Sequence, residues 1–247
     1  MNGAGEGARW AMHWDEVAVF DANSASLGFD EYELMKAAGE ALAGEVAKNS
    51  GEGDVLFLCG PGNNGGDGFV AACSASLAGT RVSVLSSHES SKTMISSRAR
   101  EMAAKELPIH VWPEIPEGDW TLIVDCLLGA GGPAEGTELR PPIIEVTNWA
   151  TSTGLPVISC DIPTGLGGPD SLQPIRTVTF HSPKMGMSES GCGEIVVSDL
   201  PWPAEVRNCG VGDANRYPSM DSEASKGDRG RLLVVGGGPY HGAPILS

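Results

Sequence analysis

Basic residues are scarce in this chain. Only 16 Lys and Arg stand against 32 Asp and Glu over 247 residues, a formal net charge of −16. Nucleic acids and anionic membrane surfaces need a basic face on their partner, so neither is expected to bind here. An acidic cytoplasm or a salt-rich habitat would produce the same imbalance. No apolar run approaches the ~20 residues that a membrane-spanning helix needs. The N-terminus lacks the basic stretch followed by an apolar one that marks a secretory signal. The six cysteines (Cys59, Cys73, Cys126, Cys160, Cys192 and Cys209) include no C-x-x-C pair. Buried reduced thiols in a cytoplasmic protein are therefore expected, rather than a zinc site or a disulfide framework. There is no internal repeat. The length suits one large domain, or one domain and a piece of another.

What is present is an alternation. The segments 55–59, 81–85, 109–112, 121–125 and 156–161 read as strands. Between them, 67–77, 91–105 and 142–153 read as helices, and further strands are expected at 176–180 and 194–197. Ahead of the first strand, Leu34, Ala38, Leu42 and Val46 recur at a spacing near four and give a helix over 31–48, with Asp30 as its N-cap. Near-continuous apolar strands separated by helices imply a sheet covered on both faces. The expected fold class is α/β, a Rossmann-like three-layer α/β/α sandwich with a mostly parallel central sheet and right-handed crossovers.

One segment is denser in chemistry than the rest. Gly60-Pro61-Gly62-Asn63-Asn64-Gly65-Gly66-Asp67-Gly68 joins the first strand to a helix. Bare N–H groups at a helix N-terminus hold phosphate, and glycines let backbone approach a ligand closely. No Lys-Ser/Thr follows the glycines, which excludes a Walker A loop, and the spacing is not G-x-G-x-x-G. An ordinary Gly/Asn turn is the rival reading, but five glycines with three polar side chains among them exceed what a turn requires.

Two more polar signals follow predicted strands. Asp125 precedes Gly129-Ala130-Gly131-Gly132-Pro133, and Asp161 opens Asp161-Ile162-Pro163-Thr164-Gly165. Ligands of open α/β sheets bind beyond the carboxyl ends of the strands, so three such signals on one edge point to a site, although either Asp alone would read as a loop cap. Asn64, Asp125 and Thr164 offer one carboxylate and neutral oxygens, a set suited to a monovalent cation or to a plain hydrogen-bonded cluster. Lys184 follows the strand at 176–180.

At these residues the chain resembles the NAD(P)H-hydrate epimerase family, the YjeF N-terminal domain. The resemblance is carried by Glu33-Leu34-Met35-Lys36-Ala37-Ala38-Gly39, the glycine segment 60–68, Asp125-Cys126-Leu127-Leu128-Gly129-Ala130-Gly131, the segment 161–166 and the segment 177–186. It implies that Asn63, Asn64, Gly65, Gly66 and Asp67, together with Gly129, Ala130, Gly131, Gly132, Pro133, Ala134 and Glu135, contact a hydrated dinucleotide. Asp161 would contact it near the damaged nicotinamide ring. It implies that Asn64, Asp125 and Thr164 hold a potassium ion, and that Asp161 and Lys184 are the acid/base candidates. The family usually has Phe at Leu128, Thr at Ala130, Leu at Gly132 and Ser at Thr164.

Residues 226–247, from Lys226-Gly227-Asp228 through Gly236-Gly237-Gly238, resemble the opening of the companion ribokinase-like NAD(P)H-hydrate dehydratase. The expected organisation is therefore an epimerase domain over 10–215, a linker over 216–225 and a truncated second domain. The implied activity is epimerisation of the R and S forms of NADHX and NADPHX in a likewise implied homo-oligomer, with dehydratase activity only in a longer chain. The alternative is a non-catalytic nucleotide-binding or scaffold module on the same fold.

Overall fold

The computed structural model describes residues 11–130 and 138–216. The expected second-domain start, and the expected linker beyond Arg216, lie outside these described residues. Among the described residues, seven strands form one sheet: β1 (Asp54–Cys59), β2 (Val82–Ser86), β3 (Ile109–Val111), β4 (Trp120–Cys126), β5 (Val157–Cys160), β6 (Arg176–Phe180) and β7 (Glu194–Ser198). Their order is β3-β2-β1-β4-β5-β6-β7, and every pairing among them is parallel. The direction of strand progression reverses between β1 and β4, which places the ligand crevice of such sheets at the ends of these two strands.

Strand alternation divides the core in two. Val55, Phe57 and Cys59 of β1 and Leu122, Val124 and Cys126 of β4 pack with Leu42, Val46, Phe69 and Ala72. These come from α2 (Glu31–Asn49) and α3 (Asn63–Leu77), which cover one face with α4 (Met94–Ala103). Leu56, Leu58 and Ile123 point the other way and meet Ile143, Val146 and Ala150 of α5 (Ile143–Ser152). The stripe expected on 31–48 is the buried face of α2, and Asp30 caps it by accepting from the Tyr32 N–H at 2.9 Å.

Local reading falls short at two places. The helix after β1 begins at Asn63, not at 67, so Asn63, Asn64, Gly65, Gly66 and Asp67 form its first turns rather than a loop. Glycine disfavours helix by about 1 kcal/mol relative to Ala, which hides this start from local reading. Close packing overrides it, since a Cβ on Gly65 would stand 1.9 Å from the Gly60 carbonyl oxygen.

The second place is α1 (Trp14–Ser26), which the periodicity does not announce. Its buried face includes Asn23 and Ser24, at 3% and 0% exposure, so no apolar stripe forms. Asn23 is tied down at long range instead. Its Nδ2 donates to Val206 O at 3.2 Å and Asp213 Oδ2 at 3.1 Å, and its Oδ1 accepts from the Gly212 N–H at 2.7 Å. The short helix α7 (Val211–Asn215) packs on α1.

The described cysteines are all free; Cys59, Cys126, Cys160 and Cys192 are buried, whereas Cys209 is exposed. No helix among the described residues is long and apolar enough to cross a membrane.

Candidate functional site

The carboxyl ends of the central strands open onto a cavity of about 840 Å³, near the top of the range for small-molecule sites. Gly62, Asn63, Asn64 and Asp67 reach it from the start of α3, 127–130 from the loop after β4, Asp161 from the end of β5, and Lys184 from the turn after β6.

Asp161 has φ 63°, a conformation that Asn and Asp tolerate better than most residues. Its N–H donates to Val178 O at 2.7 Å. The carboxylate is then shared: Oδ1 lies 2.8 Å from Lys184 Nζ, and Oδ2 accepts from the Ala130 N–H at 2.7 Å. Lys184 is 2% exposed, and its ammonium also donates to Thr179 Oγ1 and Phe180 O, each at 2.9 Å. Burial pushes the Asp161 carboxyl up, but the adjacent Lys184 charge and the hydrogen bonds outweigh it and hold the group below its ordinary range. The Lys184 turn is fastened from both sides, because the Met12 N–H donates to Pro183 O at 2.7 Å and the Met185 N–H to Met12 O at 2.9 Å.

Two further carboxyls face the same space. Burial, then Glu31 and Asp161, push Asp21 of α1 up to about 6. Burial, then Asp161 and Asp21, raise Asp67 well above the carboxylate range. The site therefore combines an ionised carboxylate paired with an ammonium and two nearby carboxyls that hold their protons more tightly than usual.

Asp125 lies beneath the cavity, fully buried. Oδ1 accepts from Thr164 Oγ1 at 2.7 Å and the Leu127 N–H at 3.2 Å; Oδ2 accepts from the Thr164 N–H and Ser159 Oγ, each at 2.9 Å. Thr164 Oγ1 in turn accepts from the Leu128 N–H at 3.0 Å. Burial pushes Asp125 up, and these four donors oppose it. Asn64 differs. It is 8% exposed, and neither its Oδ1 nor its Nδ2 has a hydrogen-bond partner among the described residues. Such an orphaned buried amide calls for a ligand or ion. Gly129 lies against both groups: a Cβ there would stand 3.0 Å from Asp161 Oδ2 and 3.1 Å from Asn64 Oδ1.

A sequence profile described as YjeF-related protein N-terminus matches residues 31–186. The chain belongs to the YjeF N-terminal family. It is 36% identical to the bifunctional NAD(P)H-hydrate repair enzyme Nnr of Archaeoglobus fulgidus, over 94% of this chain and 50% of the relative. It is 33% identical to the enzyme of the same name from Methanospirillum hungatei, over 94% of this chain and 47% of that one. The chain spans about half the length of these curated relatives. The crystal structure of the yeast protein ynu0 shares the fold, with a TM-score of 0.69 at 22% identity, covering 87% of this chain and 97% of that one.

The YjeF N-terminal match contains Asn64, Asp125, Asp161, Thr164 and Lys184, and the fold brings them to one edge of the sheet. Not all the residues singled out in the sequence face the cavity. Gly65 is turned onto Gly60, and Gly66 onto Met35, while Asp125 and Thr164 support the floor from below. Asn63 faces the cavity, and its Oδ1 accepts from Thr93 Oγ1 at 2.6 Å. Gly131, Gly132, Pro133, Ala134 and Glu135 lie outside the described residues.

The sequence reading missed Asp21, Trp202, His88 and Lys92, which all line the cavity. Asp21 and Trp202 fall outside the YjeF N-terminal match and carry no local signal. His88 and Lys92 follow β2 directly, so the strand-end rule that marked Asp125 and Asp161 would have found them.

Proposed function

We propose that this chain is an NAD(P)H-hydrate epimerase, interconverting the R and S forms of NADHX or NADPHX. The observation that carries this reading is the pairing of Asp161 with the buried Lys184, 2.8 Å apart, in a dinucleotide-sized cavity at the switch point of a Rossmann-ordered sheet. The names of the relatives agree with it. The damaged ring carries a hydroxyl and the ring nitrogen on the same carbon, C6. Inverting that centre requires a proton to leave one heteroatom and another to arrive close by.

The adjacency of the pair suits ring opening. The Asp161 carboxylate takes the proton of the C6 hydroxyl, and the C6–N1 bond breaks with its electron pair going to N1. The Lys184 ammonium supplies the proton that N1 gains, leaving an open-chain aldehyde. Rotation about the neighbouring carbon–carbon bond presents the other carbonyl face. N1 then re-adds, with each proton returned along the same path. One acid/base pair on one side of the ring serves both steps, because the two heteroatoms share a carbon. Departure and return of hydroxide would instead need groups on opposite faces.

Of the three residues implied as cation ligands only Asn64 offers an open oxygen, that of its orphaned amide; Asp125 already accepts from four donors, and a monovalent cation would take the place of some of them beside Thr164. Potassium held there would supply fixed positive charge beneath the start of α3, where dinucleotide phosphates are expected. In a longer chain, a fused dehydratase domain would consume the epimer formed here.

The test uses a mixture of both hydrate epimers and a separate stereospecific dehydratase, read at the reduced-nicotinamide absorbance band. Faster consumption of the slowly converted epimer on adding this chain supports the reading. Persistence of that epimer at its spontaneous rate, with ligand still bound, identifies a non-catalytic nucleotide-binding module. Equal activity and equal melting temperature in K⁺ and Na⁺ buffers of the same strength would remove the potassium ion.

A further inference from the structure

The cavity is electrically divided. At one end, Asp21 is coupled to Glu31, Asp161 and Lys184, and Asp67 to Asp161 and Asp21. The opposite end, after β2, is cationic. Lys92 and His88 face the cavity there. Behind them the Arg100 guanidinium donates to Ser86 Oγ and His88 O, each at 2.8 Å. Burial first, then Lys92 and Arg100, hold His88 below its ordinary range, as expected where positive groups crowd one imidazole.

This crowding stands out in a chain with twice as many acids as bases. Lys36, Lys48, Arg81, Arg98, Arg176 and Arg216 each lie within ion-pair distance of an acidic side chain. Lys92 makes no ion pair with any described residue, and neither do Arg100, Lys105, Arg140 and Arg207; of these, Lys92 and Arg140 line the cavity. Glu89, beside His88 in sequence, is exposed and does not line the cavity. The loop is also held in place: the Lys92 N–H donates to Pro61 O at 2.7 Å, and Thr93, which caps α4, donates to Asn63. The N-termini of α3 and α4 thus adjoin the same patch.

Position gives the patch a meaning. In sheets of this order that carry G-x-G-x-x-G, a fingerprint this chain lacks, the residue about twenty positions past the glycines reads the 2′ position of the adenosine ribose, beside the end of β2. An acid there accepts a free hydroxyl, and a base accommodates a phosphate. His88 occupies that distance from Gly68. Strands lie about 4.8 Å apart, so the four gaps from β2 to β6 span roughly 19 Å. A ligand with its nicotinamide at Asp161 and Lys184 and its phosphates at the start of α3 extends naturally to the end of β2.

We propose that Lys92 and His88, at the end of β2, form a subsite for the 2′-phosphate of hydrated NADPH, so that the chain prefers NADPHX to NADHX. This rests on the epimerase reading for the identity of the damaged ring, but not for the phosphate.

The purified chain is titrated by calorimetry with 2′-phospho-ADP-ribose and with ADP-ribose, and kcat/KM is measured for NADPHX and NADHX. Charge-assisted contacts to one added phosphate predict roughly tenfold tighter binding of the phosphorylated probe, and a similar ratio of kcat/KM. Lys92→Ala should collapse both ratios to within about threefold, with a further loss on adding His88→Ala. Arg140, which lines the cavity from the connection before α5, is the comparison, and Arg140→Ala should leave the ratios standing. Equal affinity of the wild type for the two probes overturns the subsite. So does an equal loss for both ligands in Lys92→Ala, which would assign Lys92 to the shared pyrophosphate. So does a ratio that depends on Arg140 instead. A chain without epimerase activity that keeps the tenfold probe preference would retain the subsite and lose the epimerase reading.

Discussion

Asp161 and Lys184 lie 23 positions apart in the chain, yet their charged atoms are 2.8 Å apart in a nearly closed setting. Each has neutral partners as well: the Ala130 N–H for the carboxylate, and Thr179 and Phe180 for the ammonium. A buried pair held this way is costly to break from one side. Asp161→Asn keeps an acceptor for Lys184 and suits the positive φ. It should fold, lose under about 3 kcal/mol of stability, and lower kcat by roughly 10²- to 10⁴-fold. Circular dichroism and the coupled epimer assay together check this. Turnover near wild type would remove Asp161 from the chemistry.

Gly129 separates the carboxylate from the orphaned amide. A methyl group there must push Asp161 or Asn64 by a few tenths of an ångström. Gly129→Ala should lower kcat/KM about tenfold through misplacement while shifting the denaturation midpoint little. A large stability loss with unaltered kinetics would mean that the contact relaxes elsewhere.

Thr164 serves two buried groups at once, donating to Asp125 and accepting from Leu128. Thr164→Val leaves both short of a partner and should cost about 2–4 kcal/mol. Thr164→Ser keeps the hydroxyl and should cost about 1 kcal/mol for the lost methyl. Urea titrations of the two variants decide between a hydroxyl requirement and simple packing.

Asp21 sets a pH dependence opposite in sign to that of a salt-bridged carboxylate. Its folded pKa, about 6, is above the ordinary value of 3.8 that the unfolded chain shows, so the native state holds the proton more tightly. Stability is therefore lost as pH rises from 3.8 through 6, by up to about 3 kcal/mol. Asp21→Asn should be more stable than wild type at pH 7.5 by up to that amount and no more stable at pH 3.5. Chemical denaturation at the two pH values measures the difference. A gain of equal size at both would trace to packing.

The layered α/β fold was legible because its signals are local. The runs 55–59 and 122–124 are apolar throughout, as strands buried on both faces must be, and the stripe through Leu34, Ala38, Leu42 and Val46 is a helical face. The glycine segment was legible as unusual but misread as loop. Its helix is stabilised by contacts with Gly60 and Met35 that no local propensity contains. Helix α1 was illegible for a related reason, because Asn23 is satisfied by groups more than 180 residues away.

By itself, then, the sequence determined the strand and helix alternation, and with it the edge on which Asn64, Asp125 and Asp161 had to emerge. Side-chain periodicity and strand-end position are properties of neighbouring residues. Tertiary structure alone decided the pairing of Lys184 with Asp161, the approach of Asp21 to them, and the placing of Arg100 behind His88. Those outcomes depend on crossovers that bring distant strand ends together, and on a low-dielectric interior that exists only once the chain has closed around them.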